Sequence, residues 1–432
     1  MKILVVGGGG REHAIVWRLH EDAEKHVLFC APGNVGTGAI ATNLPLKAED
    51  VAGIVDWAKR EKPDLVVVGP EAPLVAGLVD ALSEAKIPAF GPVAAGARME
   101  GSKRFAKEVM ASAGVPSGKA ETFTGAAEAK AALRNYGLPV VIKADGLAAG
   151  KGVIVAETLG EAEKAIDDML VGNRFGSAGA SVLIEEFLYG EECSILALTD
   201  GEHAVLLPGS QDHKRVFDGD KGPNTGGMGA YSPAPVITPD KLPMIKEKII
   251  LPVLRELKKR GIVYRGILYA GLMVNDFSSI PNGPLAKSGS PVNVVEFNAR
   301  FGDPETEAVL PRLGGSFATA LLHAATGCLK DEDVVVKDGA AATVIVASEG
   351  YPGSYAKGKP IKGLEGNPAL VFHCGTKIEG DEIVTSGGRV LSVTGLGKTL
   401  REAVDAAYAG VKAISFEGAF YRKDIAHRAF ER

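Results

Sequence analysis

The segment from Val294 to Glu305 holds the residues of this chain that are best suited to do chemistry. The apolar, β-branched residues around its start predict a strand from Val292 to Phe297. Because residues two apart on a strand point to the same face, Glu296 and Asn298 would project together. A carboxylate and an amide oxygen side by side are typical ligands of Mg²⁺ shared with phosphates, and Arg300 could stabilise charge beside that metal. The alternative is an edge strand with solvated polar residues, which leaves the arginine and the Gly-Asp-Pro-Glu turn after it unexplained.

A second segment suited to phosphate chemistry is the glycine-rich stretch from Lys143 to Gly152. It is not a Walker-type P-loop, because the spacing differs, Gly152 replaces the Ser or Thr, and a strand is expected to follow instead of a helix. A glycine-rich flap between antiparallel strands can still cover a triphosphate with its backbone N–H groups. Lys143, on the preceding strand, would reach a phosphate oxygen. The alternative is a surface hairpin with solvated lysines, which fits the many small residues less well.

The four glycines Gly7 to Gly10 follow the first expected strand, where a dinucleotide fingerprint would stand. That fingerprint needs a glycine at its sixth position and an acid after the second strand. The sixth position here is Glu12 or His13, and the second strand ends in Cys-Ala-Pro, so the pattern excludes NAD binding. The turn still predicts a phosphate site, because a helix N-terminus offers free N–H groups and a favourable dipole. The alternative is a tight turn without a ligand.

Two further polar segments are candidates for contact with a small ligand. The acidic stretch from Ile184 to Glu192 joins two β-rich regions, so it could form a hinge over a bound base, with Glu192 accepting the ribose hydroxyls. The alternative for this stretch is a solvated acidic turn. The segment from Gln211 to Tyr231 is a long polar loop without core periodicity, and such loops inside compact domains are usually functional or disordered. No G-x-S-x-G elbow occurs, so a serine nucleophile of that type is not expected.

The composition is that of an ordinary globular protein. Hydrophobic residues make up 46% and charged residues 23% of the 432 residues, enough for two to four domains with sizeable cores. A net charge of −5 gives no basic surface for nucleic acid and no polybasic stripe for a membrane. The four cysteines lie far apart, which fits a reducing compartment and neither a disulfide framework nor a zinc site. Without a signal-like or membrane-spanning run, the sequence predicts a cytoplasmic protein and leaves monomer and dimer open.

Alternating strands and helices in the first hundred residues would position the glycine turn. This order predicts a parallel, doubly wound sheet, whose ligands gather at the carboxyl ends of the strands. The glycine turn and Glu71 each follow a strand and would therefore lie at the same edge. The expected strands are Ile3–Val6, Val27–Phe29, Leu65–Val68 and Ile87–Phe90, and the expected helices are Arg11–His20, Glu49–Arg60 and Leu74–Ala85.

From Ser102 the pattern changes to a compact β/α unit, which is followed by a mixed region from Cys193 to about Gly327. An exposed hairpin insertion, Asp276–Pro291, is expected between two strands of the mixed region. The last hundred residues predict a small α+β cap. The expected strands of these three regions are Glu121–Phe123, Pro139–Lys143, Val153–Ala156, Val182–Phe187, Gly266–Val274, Val292–Phe297, Ala342–Ala347, Leu370–Cys374 and Arg389–Thr394, and the expected helices are Lys103–Ser112, Ala126–Tyr136, Leu159–Leu170 and Leu400–Ile414.

Together these pieces resemble the ATP-grasp superfamily and, within it, the glycinamide ribonucleotide synthetase family of purine biosynthesis. The resemblance runs nearly end to end, and its Arg-Phe-Gly-Asp-Pro-Glu motif is close to diagnostic, whereas the Lys-Ala-Asp-Gly loop alone would indicate only the superfamily. The matching motifs are Gly-Gly-Arg-Glu-His-Ala (9–14), Ala-Pro-Gly-Asn (31–34), Gly-Pro-Glu-Ala-Pro-Leu (69–74), Glu-Gly-Ser-Lys (100–103), Ile-Lys-Ala-Asp-Gly-Leu-Ala-Ala-Gly-Lys-Gly-Val (142–153), Ser-Gln-Asp-His-Lys-Arg (210–215), Gly-Pro-Asn-Thr-Gly-Gly-Met-Gly-Ala-Tyr-Ser-Pro (222–233), Arg-Phe-Gly-Asp-Pro-Glu (300–305) and Gly-Gly-Arg-Val-Leu (387–391).

The resemblance implies a multidomain α/β and α+β fold. Residues 1–102 would form an α/β substrate domain, residues 103–327 an ATP-grasp core of two lobes with a mobile ATP lid at about 121–187, and residues 328–432 the cap. It also implies that the chain ligates glycine to 5-phosphoribosylamine, giving glycinamide ribonucleotide, ADP and phosphate through glycyl phosphate. The cofactors would be ATP with Mg²⁺ or Mn²⁺. The alternatives are another ATP-grasp carboxylate–amine ligase and a nucleotide-binding sensor without catalysis.

The resemblance further assigns roles to individual residues. Arg300 and Lys143 would be catalytic, and Glu296 and Asn298 would hold the metal. The residues expected to contact ATP are Lys103, Lys143, Gly146, Gly150, Gly152, Glu185, Glu186, Phe187, Leu188 and Glu192. The residues expected to contact glycine or phosphoribosylamine are Gly9, Gly10, Arg11, Glu12, Glu71, Asp212, Lys214, Asn224, Thr225, Gly226, Arg300 and Asp303.

The chain departs from the family pattern at three places. Gly8 stands where Asn or Ser is expected, Glu307 stands where Gln is commoner, and the insertion Asp276–Pro291 is longer than usual. None of these departures removes an expected ligand.

Overall fold

The fold was obtained as a computed structural model, which describes residues 1–146, 152–172, 180–275 and 289–432. The middle of the predicted flap, including Gly150, and most of the predicted insertion 276–291 lie outside the described residues. Within the described ranges, no helix combines the length and the apolar character needed to cross a bilayer.

The N-terminal region is a five-stranded parallel sheet in the order β3-β2-β1-β4-β5, as predicted. Ile3 and Val5 face one hydrophobic core and Leu4 and Val6 face another, so helices cover both sides of the sheet. The short exposed strand β3 was not predicted. The strands are β1 (Lys2–Gly7), β2 (Val27–Pro32), β3 (Thr42–Asn43), β4 (Leu65–Val68) and β5 (Ala89–Phe90), and the helices are α1 (Gly10–His20), α2 (Val51–Glu61), α3 (Glu71–Val75), α4 (Leu78–Glu84) and α5 (Ala94–Gly101).

The next region consists of one helix and a small lobe, residues 120–186, with its own hydrophobic core. Its four-stranded antiparallel sheet has the order β6-β9-β7-β8, and β7 and β8 form the hairpin that the sequence predicts around the glycine-rich stretch. The elements are α6 (Lys103–Ala113), β6 (Ala120–Phe123), α7 (Ala126–Ala132), β7 (Val140–Ala144), β8 (Val153–Ala156), α8 (Leu159–Leu170) and β9 (Val182–Glu186).

The central region is built on an antiparallel sheet in the order β11-β10-β16-β17. Its two long strands, Glu191–Thr199 and Gly266–Val274, are mostly apolar and mostly buried on both faces, as their hydrophobic runs indicate. The elements are β10 (Glu191–Thr199), β11 (Ala204–Leu206), β12 (Gln211–Asp212), β13 (Arg215–Phe217), β14 (Lys221–Asn224), β15 (Gly229–Ser232), α9 (Leu242–Ile245), α10 (Leu251–Lys259), β16 (Gly266–Val274), β17 (Val292–Asn298), α11 (Glu305–Val309), β18 (Leu313–Gly314), α12 (Phe317–Thr326) and β19 (Val335–Val336).

The C-terminal sheet has the order β12-β15-β20-β24-β21, with β25 beside β20. The prediction that residues 211–231 form one irregular loop was therefore wrong in part, because β12 and β15 satisfy their backbone groups by pairing into this sheet. The remaining elements are β20 (Ala340–Ser348), β21 (Leu370–His373), β22 (Thr376–Glu379), β23 (Glu382–Thr385), β24 (Arg389–Gly397), α13 (Leu400–Ala413), β25 (Ala419–Phe420) and α14 (His427–Phe430).

Candidate active site

Glu296 and Asn298 lie at the end of β17, which confirms the predicted strand. The ladder between β16 and β17 shifts register at Val295, so this residue has no partner, and Gly271 stands opposite Glu296. The freed carbonyl of Val295 accepts a hydrogen bond from Lys143 Nζ at 3.3 Å. A bulge therefore directs a lysine of the small lobe towards the strand that carries the carboxylate and the amide.

The charges of four cations act on the Glu296 carboxylate. Burial opposes its ionisation, but the charges of Lys214, Lys143, Lys103 and Arg300 lower its pKa below the ordinary value, so the group stays anionic. An anionic oxygen with an amide oxygen beside it is a hard-cation donor set, and the surrounding ammonium groups suit phosphate oxygens. Among the described residues, no three His, Cys, Asp or Glu side chains form a metal cage. Glu296 and Asn298 are the side chains that would hold a metal ion here, and the ion would supply positive charge beside the phosphates.

Lys103, at the start of α6, is joined to the glycine-rich hairpin. Its ammonium group donates to the Gly146 carbonyl at 3.0 Å, and Gly152 closes the hairpin by accepting from the Ala144 N–H at 2.8 Å. Asp145 adds a second connection, because its carboxylate accepts from Ser102 Oγ at 3.3 Å and from Ser181 Oγ at 3.2 Å. The two motifs around Ser102 and Asp145 thus act as one unit that holds the base of the flap.

The Glu185 carboxylate holds two lysines. One oxygen pairs with Lys107 and the other with Lys143, and the side chains of Glu185 and Lys143 are both almost completely buried. Two ammonium groups compensate the burial of this carboxylate and keep its pKa below the ordinary value. The side chain of Glu185, which was predicted to contact ATP, is therefore directed to lysines, and Lys107 is a residue that the sequence reasoning missed.

The residues after β9 connect the small lobe to the central sheet at β10. Glu186 forms a backbone hydrogen bond to the Lys119 carbonyl at 2.8 Å, and its carboxylate accepts from the Lys119 N–H at 3.1 Å. Phe187 packs edge-on against Tyr189, and Leu188 is buried. This crossover is apolar at Phe187 and Leu188, and its role as a hinge over a bound base stays a prediction.

Lys214 and Glu192 form an ion pair across the central sheet. Both side chains are partly exposed, at 32% and 26%. Although burial opposes it, the carboxylates of Glu192, Asp212 and Glu296 raise the pKa of Lys214. Glu192, which was predicted to contact the ribose, thus pairs with Lys214, which was predicted to contact the substrate.

Arg300 lies between two carboxylates. Its Nη2 is 2.9 Å from Glu100 Oε1, and its Nε is 3.5 Å from Glu71 Oε2. Glu100 also accepts the Ala299 N–H at 2.8 Å, which fixes the end of β17. The sequence analysis singled out Glu71 and Arg300 but missed Glu100, although it begins the Glu-Gly-Ser-Lys motif.

A side chain of α1, Glu12, binds the backbone of the glycine turn that precedes this helix. Glu12 is buried, and its carboxylate accepts from the Gly9 N–H at 2.7 Å and from Arg11 Nε at 2.5 Å. A Cβ at Gly7 or Gly69 would lie within 2.4 Å of the Glu12 side chain, so both positions require glycine. The prediction of free N–H groups at this turn was therefore wrong for Gly9, because a capping carboxylate already occupies it.

Arg389, from β24, connects the C-terminal sheet to this region. Its guanidinium group lies 2.9 Å from Asp303 Oδ2 and donates to the Gly226 carbonyl at 2.7 Å. The loop that contains Gly226 is folded by Thr225, whose hydroxyl donates to the Lys214 carbonyl at 2.9 Å. Arg389 was also missed, although it lies in the Gly-Gly-Arg-Val-Leu motif.

Asn224 and Asp212, two residues predicted to contact substrate, lie near this loop and differ in their exposure to solvent. Asn224 ends the exposed strand β14 and pairs with Arg215. Asp212 lies on β12, opposite Ala230, and only 8% of its surface is exposed. The structure thus brings Asp212 and Lys214 to the centre of the site and leaves Asn224 at its edge.

Models of three protein-family domains match this chain. They are described as the N domain of phosphoribosylglycinamide synthetase, at residues 1–100, its ATP-grasp (A) domain, at residues 101–306, and its C domain, at residues 341–428.

Similar proteins match over nearly the whole length. A phosphoribosylamine–glycine ligase of Allochromatium vinosum is 49% identical over 437 residues, covering 100% of this chain and 99% of the relative, and one of Escherichia coli O157:H7 is 48% identical over 438 residues with the same coverage. The crystal structure of phosphoribosylamine–glycine ligase from Thermotoga maritima superposes with a TM-score of 0.85 at 35% identity, covering 99% and 100% of the two chains. The biotin carboxylase domain of Hydrogenobacter thermophilus 2-oxoglutarate carboxylase, at 17% identity, shares the fold with a TM-score of 0.72 over 97% of this chain and 91% of that domain.

Proposed function

The chain belongs to the phosphoribosylglycinamide synthetase family, and from this premise we propose that it ligates glycine to 5-phosphoribosylamine at the expense of ATP, giving glycinamide ribonucleotide, ADP and phosphate. The observation that carries the proposal is the 49% identity to a phosphoribosylamine–glycine ligase along the entire chain. The geometry adds support, because four cations converge on one anionic carboxylate beside an amide. The division into a substrate domain (1–102), an ATP-grasp core (103–327) and a cap (328–432) belongs to the same proposal.

The first chemical problem is the activation of glycine, since a carboxylate is a poor electrophile. Transfer of the γ-phosphoryl group of ATP to the glycine carboxylate would create glycyl phosphate, whose phosphate is a good leaving group. Charge then develops on the phosphoryl oxygens, and the ammonium group of Lys143 and the guanidinium group of Arg300 would stabilise it. The action of both cations on the Glu296 carboxylate supports these roles. Glu296 and Asn298 would hold Mg²⁺ or Mn²⁺, which supplies further neutralisation of phosphate charge.

ATP would lie between the small lobe and the central sheet. Lys103 and Lys143 would bind its phosphates, with Gly146 and Gly152 at the base of the flap. Glu186 to Leu188 would line the base, and Glu192 would exchange its pairing with Lys214 for the ribose hydroxyls. Glu185 would act by holding Lys143 in place, because both of its oxygens are engaged by lysines.

Glycine and phosphoribosylamine would occupy the space between the glycine turn, Arg300 and Asp303. The charge of Arg300 acts on the pKa of Arg11, so the two guanidinium groups interact. Together they would provide positive groups for a carboxylate and a phosphate. The cysteines of the described residues are all free, which is consistent with action in the cytoplasm on small-molecule substrates.

The proposal is tested by phosphate release from ATP with glycine and freshly made phosphoribosylamine omitted in turn. We expect full phosphate release only with both substrates, accompanied by glycinamide ribonucleotide. Another ATP-grasp carboxylate–amine ligase would respond to a different acid or amine, and a nucleotide-binding sensor would bind ATP without glycine-dependent release. Either result would overturn the proposal.

A further inference from the structure

Asp212 is a buried carboxylate that the mechanism above does not use. It lies on β12, opposite Ala230, where the C-terminal sheet meets the central sheet. Its carboxyl group forms no hydrogen bond with any residue in the described ranges. The Asp212 oxygens are not among the fully buried side-chain atoms that lack a partner, so they stay accessible to solvent although only 8% of the residue is exposed. An accessible carboxylate without a partner among these residues points to a role with substrate.

Lys214 lies two residues after Asp212 and pairs with Glu192 of β10. Its charge acts on both Asp212 and Glu296 of β17. Tyr269 is the cross-strand partner of Asn298 on β17. Burial raises the pKa of Tyr269, and the charge of Asp212 is among those that add to this effect. Asp212 therefore belongs to the same group of interacting charges as Glu296, beside which the activated glycine would be held.

Burial is the main cause that raises the pKa of Asp212, and a second carboxylate adds to it. Glu305 is buried and accepts hydrogen bonds from Tyr269 Oη at 2.9 Å and Ser194 Oγ at 3.0 Å. Burial, together with the charges of Glu305 and Glu192, raises the pKa of Asp212 to about 7, against the opposing charges of Lys214 and Arg428. A carboxylate of this kind both accepts and releases a proton near neutral pH.

We propose that Asp212 is the proton acceptor for the amine of phosphoribosylamine as it attacks glycyl phosphate. This inference rests on the proposed function. In the step, a bond forms between the amine nitrogen and the acyl carbon, the bond from that carbon to the phosphate oxygen breaks, and phosphate leaves with the electron pair. The proton lost by the nitrogen passes to the Asp212 carboxylate, which later returns it to solvent.

The test replaces phosphoribosylamine by hydroxylamine as the nucleophile, which separates the attack on glycyl phosphate from the activation of glycine. Hydroxylamine is a strong nucleophile that is neutral at pH 7, so it would capture glycyl phosphate as glycyl hydroxamate without a protein base. In Asp212→Asn we expect ligation of phosphoribosylamine to fall by roughly a hundredfold or more in kcat, while hydroxamate formation from ATP, glycine and hydroxylamine stays within about threefold of the native rate. The dependence of kcat on pH near 7 should also be present in the native protein and absent in the variant.

Asp218→Asn is the matched control, because Asp218 is an exposed aspartate in the same segment whose carboxylate accepts the Lys423 N–H at 2.8 Å. This control should retain both activities. A rise in KM for phosphoribosylamine with native kcat in Asp212→Asn would overturn the proton-transfer role, and so would an equal loss of hydroxamate formation. If the native protein forms neither glycyl hydroxamate nor glycinamide ribonucleotide, the proposed function itself fails.

Discussion

The guanidinium group of Arg389 lies 2.9 Å from Oδ2 of Asp303, so the C-terminal sheet directly holds a residue of the segment that follows β17. The same arginine donates to the Gly226 carbonyl at 2.7 Å. One side chain therefore ties two segments with predicted substrate contacts to a sheet that the sequence analysis treated only as a cap. The C-terminal sheet is thus a structural part of the site.

Replacing Arg389 with alanine should weaken phosphoribosylamine binding. The substitution removes the ion pair to Asp303 and the hydrogen bond to Gly226, and hydrogen bonds to charged groups contribute about 1.5–3 kcal/mol each. We expect kcat/KM for phosphoribosylamine to fall by roughly ten- to a hundredfold, measured by initial rates. Arg401→Ala, at an exposed arginine of the same region, should behave like the native protein. Native kcat/KM in Arg389→Ala would show that the contact is not needed.

Replacing Arg300 with alanine should affect both turnover and folding. Loss of one donor that stabilises transition-state charge lowers turnover by about two to three orders of magnitude. The substitution also leaves the almost fully buried Glu100 without its counter-charge, which lowers the free energy of unfolding. Arg300→Lys keeps the charge and should unfold close to the native temperature, yet it should remain slow because it cannot match the planar contacts. Rapid turnover in both variants would contradict a role in charge stabilisation.

Replacing Glu185 with glutamine should raise KM for ATP by about tenfold or more, because Lys143 and Lys107 lose the carboxylate that orients them. Two buried ammonium groups would then lack a counter-charge, so the variant should also unfold at a lower temperature. ATP titration and thermal unfolding measure the two effects. Glu121→Gln is a control in the same lobe, since its ion pair with Lys119 is about 40% exposed and contributes little. If KM for ATP is unchanged in Glu185→Gln, the two lysines do not depend on this carboxylate.

Sequence patterns predicted those parts of the molecule that depend on local order. The alternation of strands and helices was sufficient for the parallel sheet, and the two-residue period was sufficient to place Glu296 and Asn298 on one face. The strand β3 escaped prediction because it has only two residues, both exposed. The bulge at Val295 also left no signal, since it depends on the register with a distant strand.

The missed site residues share a different cause. Glu100 contacts Arg300 across 200 residues of sequence, and Lys107 meets Glu185 across 78. Such pairs form only when separate elements pack together, so neither partner carries a local pattern. Family motifs contained Glu100 and Arg389, but a motif does not say which of its residues faces the ligand. For Lys107, which lies outside every quoted motif, no sequence signal was present.

Replacing Glu296 with glutamine should weaken binding of the divalent metal. The substitution keeps the shape of the side chain but removes the negative charge that four neighbouring cations stabilise. We expect the concentration of Mg²⁺ that gives half-maximal activity to rise at least tenfold, and chelation by EDTA should abolish activity in the native protein. Glu256→Gln, at a glutamate of α10 that pairs with Lys259 and Arg260, is the control. An unchanged Mg²⁺ requirement in Glu296→Gln would place the metal elsewhere.

Replacing Glu307 with glutamine should stabilise the protein at neutral and alkaline pH. Glu307 is fully buried, both of its carboxyl oxygens lack a hydrogen-bond partner among the described residues, and burial together with the charge of Asp303 raises its pKa well above 4.5. The folded state therefore binds a proton that the unfolded state releases, so the free energy of unfolding falls as pH rises above about 4.5 and continues to fall up to the folded pKa. Glutamine removes this dependence, and chemical denaturation between pH 4 and 9 should show a gain that grows with pH. The control Glu365→Gln, at an exposed position, should show no gain, and a pH-independent difference for Glu307→Gln would contradict the assignment.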